Sequence, residues 1–259
     1  MRTIYLFAIL VLTSVLSCKA SDSLVARADS AYSEDNFAEA LQLYNEASTH
    51  GTSSSLYYNI GNCHYRLGQL GQSIVAYERA LRLDPNNADA KANLAFVNDK
   101  IIDRQGERGT FISNTFDNIS FFLGSDSWAW ISLVLFIVFI AAVAIYTFTS
   151  NIPLRKVGFF GGIIVLLLCI SCMIFSFHSA SLSNNKNFAI ITAPSTILST
   201  SPRVPKDRNE EAMLLHEGTK VEIRDSVSSH NDSTNVKWYD VQVDNAHRAW
   251  IKSSDIEKI

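Results

Sequence analysis

Leu56-Tyr57-Tyr58-Asn59-Ile60-Gly61-Asn62-Cys63-His64-Tyr65-Arg66-Leu67-Gly68, continued by Tyr77, Ala80 and the closing Asp84-Pro85, decides how the first half of this chain folds. Apolar and aromatic residues recur at helical spacing on both sides of Gly68, which predicts two helices joined by a tight turn. Gly61 and Ala80 are small, so the paired helices can approach closely. Gly68 supplies the backbone freedom that ends the first helix. Asp84 ends the second, because a residue before proline avoids the helical region.

Moving outward, Leu70, Ser73, Tyr77 and Ala80 repeat, 33 residues later, the positions of Phe37, Ala40, Tyr44 and Ala47. The earlier copy is weaker, with Leu24 for the aromatic, Ala28 for the first glycine and Asp35-Asn36 for the turn glycine. A third copy begins at Ala88 and stops after one helix near Asp103, as a capping helix does. The second copy resembles the tetratricopeptide repeat at Tyr57, Ile60-Gly61, Gly68, Tyr77, Ala80 and Asp84-Pro85. Residues 21–106 therefore read as two repeats plus a cap. Hairpins of this kind bury their apolar faces only by stacking, which creates a concave surface suited to segments of other proteins. By repeat register, Tyr32, Tyr58, Asn62, Tyr65, Arg66 and Phe96 face that groove. The competing reading is that the tyrosines pack between helices.

Beyond the repeats the charges vanish. Residues 127–154 carry none, and in residues 157–185 the one titratable polar group is His178. Each run exceeds the roughly 20 residues that cross a bilayer core. A chain in lipid must satisfy its own backbone hydrogen bonds, so both runs are expected to be helices, over 127–150 and 157–179. The connector at 151–156 holds Arg155 and Lys156, and the bias of such cations toward the cytoplasm leaves both flanking domains in the periplasm. Trp128, Trp130 and Tyr146 suit the interfacial belts. At 107–126, Phe111, Ile112, Phe116, Ile119 and Phe122 form an apolar stripe, expected either in the lipid interface plane or as one more solenoid helix. The opening, Arg2 followed by Ile4 to Leu12, has the layout of an export leader over residues 1–20. Simple cleavage after Ala20 is the reading adopted, with acylation of Cys18 in Val15-Leu16-Ser17-Cys18 as the alternative.

After Asn184 the pattern shortens to alternating stretches at 188–191, 196–198, 219–223, 236–243 and 248–251, which predicts five strands. Tyr239, Val241 and Val243 point one way, as in a half-buried strand. The run from Thr192-Ala193-Pro194-Ser195 through Trp238-Tyr239-Asp240-Val241 to Ala249-Trp250-Ile251 is similar to bacterial SH3-like domains, which implies a small all-β barrel over 186–259. Trp238 and Trp250 could line its ligand surface, with peptidoglycan the polymer such domains suggest, although structural tryptophans are as common. The predicted fold class is multi-domain: all-α tetratricopeptide repeats, two transmembrane helices and a C-terminal SH3-like barrel.

The net charge is −3 and residues 21–127 balance 8 basic against 14 acidic side chains, so no basic surplus exists to hold nucleic acid. Cys169 and Cys172 have redox spacing, but a thiolate in hydrocarbon is strongly disfavoured. Cys63 and His64 are adjacent, so on a helix they point apart. His50, His216, His230 and His247 are scattered without a metal-ligand pattern, and neither a phosphate loop nor a nucleophile elbow occurs. No cofactor, metal or catalytic residue is expected, and the chain reads as non-enzymatic.

The order of leader, repeats, membrane hairpin and SH3-like tail, together with Asp126-Ser127-Trp128-Ala129-Trp130, resembles the BatE-type proteins of the Bacteroides aerotolerance operon. That resemblance implies a bacterial inner-membrane scaffold. Its partners would be von Willebrand A-type membrane proteins and a MoxR-type ATPase system, in aerotolerance or envelope stress.

Overall fold

The computed structural model describes residues 23–103, 110–185, 187–228 and 236–259. The expected leader with Cys18, residues 107–109 of the apolar segment, and His230 lie outside the described residues. Two compact units result: one combines the stretches before Gly109 and after Asn185, and the other is Gly109–Asn185.

In the first unit, helix α1 (23–33) is followed by α2 (Phe37–His50), α3 (Ser54–Arg66), α4 (Leu70–Leu83) and α5 (Ala88–Asn98). Caps fix their starts: the Ser53 hydroxyl accepts from the Leu56 amide at 3.1 Å, and the Asn87 side chain from the Ala90 amide at 2.9 Å. Asp35 and Gly68 hold the same place in successive repeats and both have positive φ, 61° and 78°. Aspartate tolerates this conformation better than most residues, which is why it can stand where the repeat has glycine. Gly61 is there for approach. A Cβ on it would lie 2.6 Å from the Tyr77 ring. The α1–α3 core is built on Ala28, Ala40, Tyr44, Ala47, Ile60 and Cys63.

The tail forms seven antiparallel strands, β1 (Phe188–Ile191), β2 (Ser195–Ser199), β3 (Glu211–His216), β4 (Lys220–Ser228), β5 (Lys237–Gln242), β6 (Arg248–Lys252) and β7 (Ile256–Lys258). Their order is β3-β2-β6-β5-β4-β1-β7. The five expected strands are present. The sequence reading missed β3, hidden beside the charged Arg208–Glu210 turn, and the short β7. The expected closed barrel is corrected to an open sheet, with β3 and β7 at its edges and unpaired with each other among the described residues. Tyr239, Val241 and Val243 enter one core with Ala249 and Ile251, as the alternation requires. Strand β5 is nevertheless buried on both faces, since Trp238 and Asp240 are covered too.

Helices and sheet share a further core. Ile74, Val75 and Tyr77 of α4, Val97 of α5, Ile190 of β1 and the terminal Ile259 form one buried cluster. Strand β1 serves both layers by its period of two: Ala189 and Ile191 point into the sheet core and Ile190 into the helices. Polar contacts close the seam. The Gly71 amide donates to Glu217 at 3.1 Å, Lys220 to Glu78 at 2.6 Å, and Arg79 to the Lys258 carbonyl at 2.9 Å. Asp103 accepts from the His216 amide (2.6 Å), the His216 imidazole (3.1 Å) and the Thr219 hydroxyl (2.8 Å).

The second unit holds α6 (Phe111–Phe122), α7 (Ser125–Phe148) and α8 (Ile152–Ser183). Helices α7 and α8 are long and apolar enough to cross a membrane. Their seam uses small residues: Cys169 donates to the Ser132 carbonyl at 3.4 Å, and a Cβ on Gly158 would meet the Ala142 carbonyl at 2.8 Å. The loop expected at 151–156 is shorter, because Pro153 suits a helix's first turn and α8 already begins at Ile152. Arg155 therefore lies on the helix, its guanidinium 5.4 Å from the Tyr146 ring centroid. Helix α6 is fastened to the end of α8 by Asp117 and His178 at 2.7 Å and by Phe116 against Phe175. Trp128 adds a bond to the Ser120 carbonyl at 3.1 Å.

Candidate functional site

The six groove candidates divide by what they touch. Tyr58, Asn62, Tyr65 and Phe96 come together, but at the seam of α3 with α5 rather than on an open floor. Asn62 accepts from the Tyr77 hydroxyl at 2.6 Å and from Asn93 of α5 at 2.9 Å. Tyr58 and Tyr65 are half-buried beside the helix–sheet cluster, and Tyr65 meets Phe96 edge-on at 5.7 Å. Tyr32 is half-buried against the first core and the Phe37 ring, so the packing alternative describes these tyrosines. Arg66 and Phe96 remain exposed. Arg66 bonds Asp35 at 3.0 Å and lies 4.0 Å from the Phe37 ring centroid, a bridge between adjacent repeats.

The two tail candidates differ in exposure. Trp238 is only 1% exposed, because the second face of β5 is covered, so it cannot offer its ring as an open platform. Its indole N–H has no hydrogen-bond partner among the described residues. Trp250 is half-exposed on β6. Asp240, on the same face, is paired with Arg248, whose guanidinium is raised by that hydrogen bond and charge. Cys169 and Cys172 are both free thiols, and Cys169 is occupied in helix packing. No metal-ligand cluster occurs among the described residues.

A cleft of about 610 Å³ lies on the other side of α3, and sequence reasoning missed it. Tyr57, Ile60 and His64, on one face of α3, form its floor; Asn45 of α2 and Gln72 and Arg79 of α4 form its walls. Thr192, Pro194, Glu217 and Glu257 of the tail complete it. The repeats give most of this lining, and the rest comes from tail residues more than 110 positions away, for which no local pattern exists. Burial lowers the His64 pKa, which keeps the imidazole neutral near pH 7. A carboxamide oxygen can only accept, so the 2.6 Å contact with Gln69 places the His64 proton on Nδ1. Arg79 is held by Glu257 at 2.8 Å. Donors and acceptors thus converge on one cleft beside the Tyr57 ring and Ile60.

Comparison with known proteins agrees with the helical geometry. Residues 54–87 match the tetratricopeptide repeat family. The chain is also similar to the Protein CTR9 homolog of Arabidopsis thaliana, 36% identical over 90 residues, which is 32% of this chain and 8% of that protein. The chain thus spans a small fraction of the relative it matches. A tetratricopeptide repeat is a protein-interaction motif, and α3 with α4 is this chain's clear example of it.

Proposed function

We propose that this protein is a non-catalytic membrane scaffold of the bacterial inner membrane that holds partner proteins on its periplasmic side, an assembly component of the BatE type. The observation that carries the reading is the shared core of Ile74, Tyr77, Val97, Ile190 and Ile259, built from residues on both sides of the helical hairpin. Segments that fold together must lie on the same side of a bilayer, so a hairpin inserted between them must cross it an even number of times. Helices α7 and α8 answer to that requirement. They also carry large apolar side chains on the outside, Phe148 88% and Phe177 71% exposed, an arrangement that water penalises and lipid does not. Arg155 and Lys156 at the turn favour the cytoplasm, which leaves the repeats and the SH3-like tail in the periplasm. Helix α6, with Phe111 and Ile112 85% and 79% exposed, suits the interface plane. Von Willebrand A-type membrane proteins are the proposed partners.

The test is thiol labelling in intact cells, with native cysteines replaced. Asn151→Cys is expected to resist an impermeant maleimide until the cells are lysed, while Ser254→Cys in the tail reacts at once. The reverse pattern, or both sites equally reactive, would end the topology. The scaffold role predicts recovery of a crosslinked partner from the wild-type chain. Tyr58→Ala with Arg66→Ala should reduce that recovery severalfold, and unchanged recovery would count against the groove.

A further inference from the structure

The cleft between α2, α3, α4 and the tail has no assigned ligand, and its chemistry narrows what would fill it. The side-chain amides of Asn45 and Gln72 and the Tyr57 hydroxyl have no hydrogen-bond partner among the described residues, although all three line the cleft. Carboxamides offer a donor and an acceptor on one group, the pair that an extended peptide main chain presents. A volume near 610 Å³ falls in the range of small-ligand and short-segment sites.

Charge selects the side chain. Two carboxylates, Glu217 and Glu257, face one guanidinium, Arg79, and Arg79 is committed to Glu257 and to the Lys258 carbonyl. His64 adds no positive charge, because burial lowers its pKa. Glu217 accepts the Gly71 amide through one oxygen, and no cation neutralises it among the described residues. An anionic ligand would be repelled here, and a purely apolar one would strand the amides. We propose that this cleft binds an extended peptide segment of a partner protein, its main chain against Asn45, Gln72 and Tyr57 and a lysine or arginine beside Glu217. This deepens the scaffold reading and rests on it. It also adds a recognition face on α3 opposite the one the repeat register indicates. Because the tail supplies Glu217 and Glu257, the site exists only while repeats and sheet are docked.

The experiment uses the full chain in lipid nanodiscs, panned against a phage-displayed random dodecapeptide library. Enriched peptides are then synthesised and measured by fluorescence anisotropy at low and high salt. The expected result is enrichment of peptides bearing lysine or arginine, with affinity falling as salt rises. Glu217→Gln keeps an acceptor for the Gly71 amide but removes the charge, and should weaken binding about tenfold. Gln72→Lys leaves Glu217 in place and adds a competing cation, so it gives an independent reading if Glu217→Gln folds poorly; a similar loss is expected. Absence of enrichment, enrichment of acidic or uncharged apolar peptides, or affinity unchanged in both variants overturns the proposal. Crosslinking in cells separates this from the broader reading. A partner still captured by Gln72→Lys sinks the cleft but leaves the scaffold, whereas no partner captured by the wild type sinks the scaffold itself.

Discussion

Gly71→Ala is expected to destabilise the first unit by about 2 kcal/mol, although helix propensity alone argues for a gain of about 1 kcal/mol when alanine replaces glycine in a helix. The opposing contact is stronger. A Cβ at this position would lie 2.7 Å from the Ile191 carbonyl oxygen, 3.2 Å from the Thr192 Cα and 3.3 Å from the Gly218 amide nitrogen. All three are backbone atoms, at the end of β1 and in the turn before β4, so no side chain can swing away, and α4 must separate from the tail. Separation also strains the Gly71–Glu217 hydrogen bond and loosens the packing of Ile74 with Ile190. Denaturant unfolding of the full chain in nanodiscs, followed by tryptophan fluorescence, measures the change. The control is Gly51→Ala, whose new Cβ would meet nothing within 4 Å and whose backbone is extended, so stability should move by no more than about 0.5 kcal/mol. Equal stability of the two variants would mean that helices and sheet are not packed as described.

Local chemistry made the repeats legible. The 33-residue echo, the turn glycine and its aspartate substitute, and the Asp84-Pro85 stop each act within a few residues, so the sequence records them directly. The apolar runs of α7 and α8 were legible for the same reason. Strand periodicity identified the central strands, but β3 and β7 are edge strands, with one side of their backbone unpaired among the described residues and little alternation to reveal them. The surroundings of the groove residues were less legible for a different reason. Repeat register tells which face of α3 Tyr58 and Asn62 occupy, but not that Asn93 of α5 would take up the Asn62 oxygen. Trp238 shows the same limit, because an aromatic residue on a strand reads identically whether its face is covered or bare. Least legible was the seam between α4 and β1. It joins residues more than 110 positions apart through single side chains such as Ile190, as Asp103 does after α5, and nothing next to them in the chain announces a partner.

Asp103→Ala should cost about 3 kcal/mol, because one carboxylate there serves three donors: the His216 amide, the His216 imidazole and the Thr219 hydroxyl. Thr219 is buried and its hydroxyl would keep the His216 carbonyl at 2.9 Å, so the loss falls mainly on the His216 amide and imidazole. The wild type carries a pH signature of the same contact. Burial by itself would raise the Asp103 pKa, but the three hydrogen bonds and the nearby imidazole outweigh it and hold the carboxyl below its ordinary value. A carboxylate with a depressed folded pKa contributes stability that is complete above the unfolded value of about 3.9 and is lost as pH falls through the lower folded value. Unfolding midpoints of the wild type are therefore expected to fall as the pH drops below about 4, and this drop should be shallower in Asp103→Asn. Identical slopes would show that another acid governs the transition. Asp103 is also the last described residue before the chain leaves for α6, so the bonds it accepts tie the chain before the hairpin to the chain after it. If the seam opens, the half-site of Glu217 and Glu257 is withdrawn from Asn45, Tyr57 and Gln72. Peptide binding by the cleft should then weaken in Asp103→Ala at neutral pH even though none of its lining residues has changed.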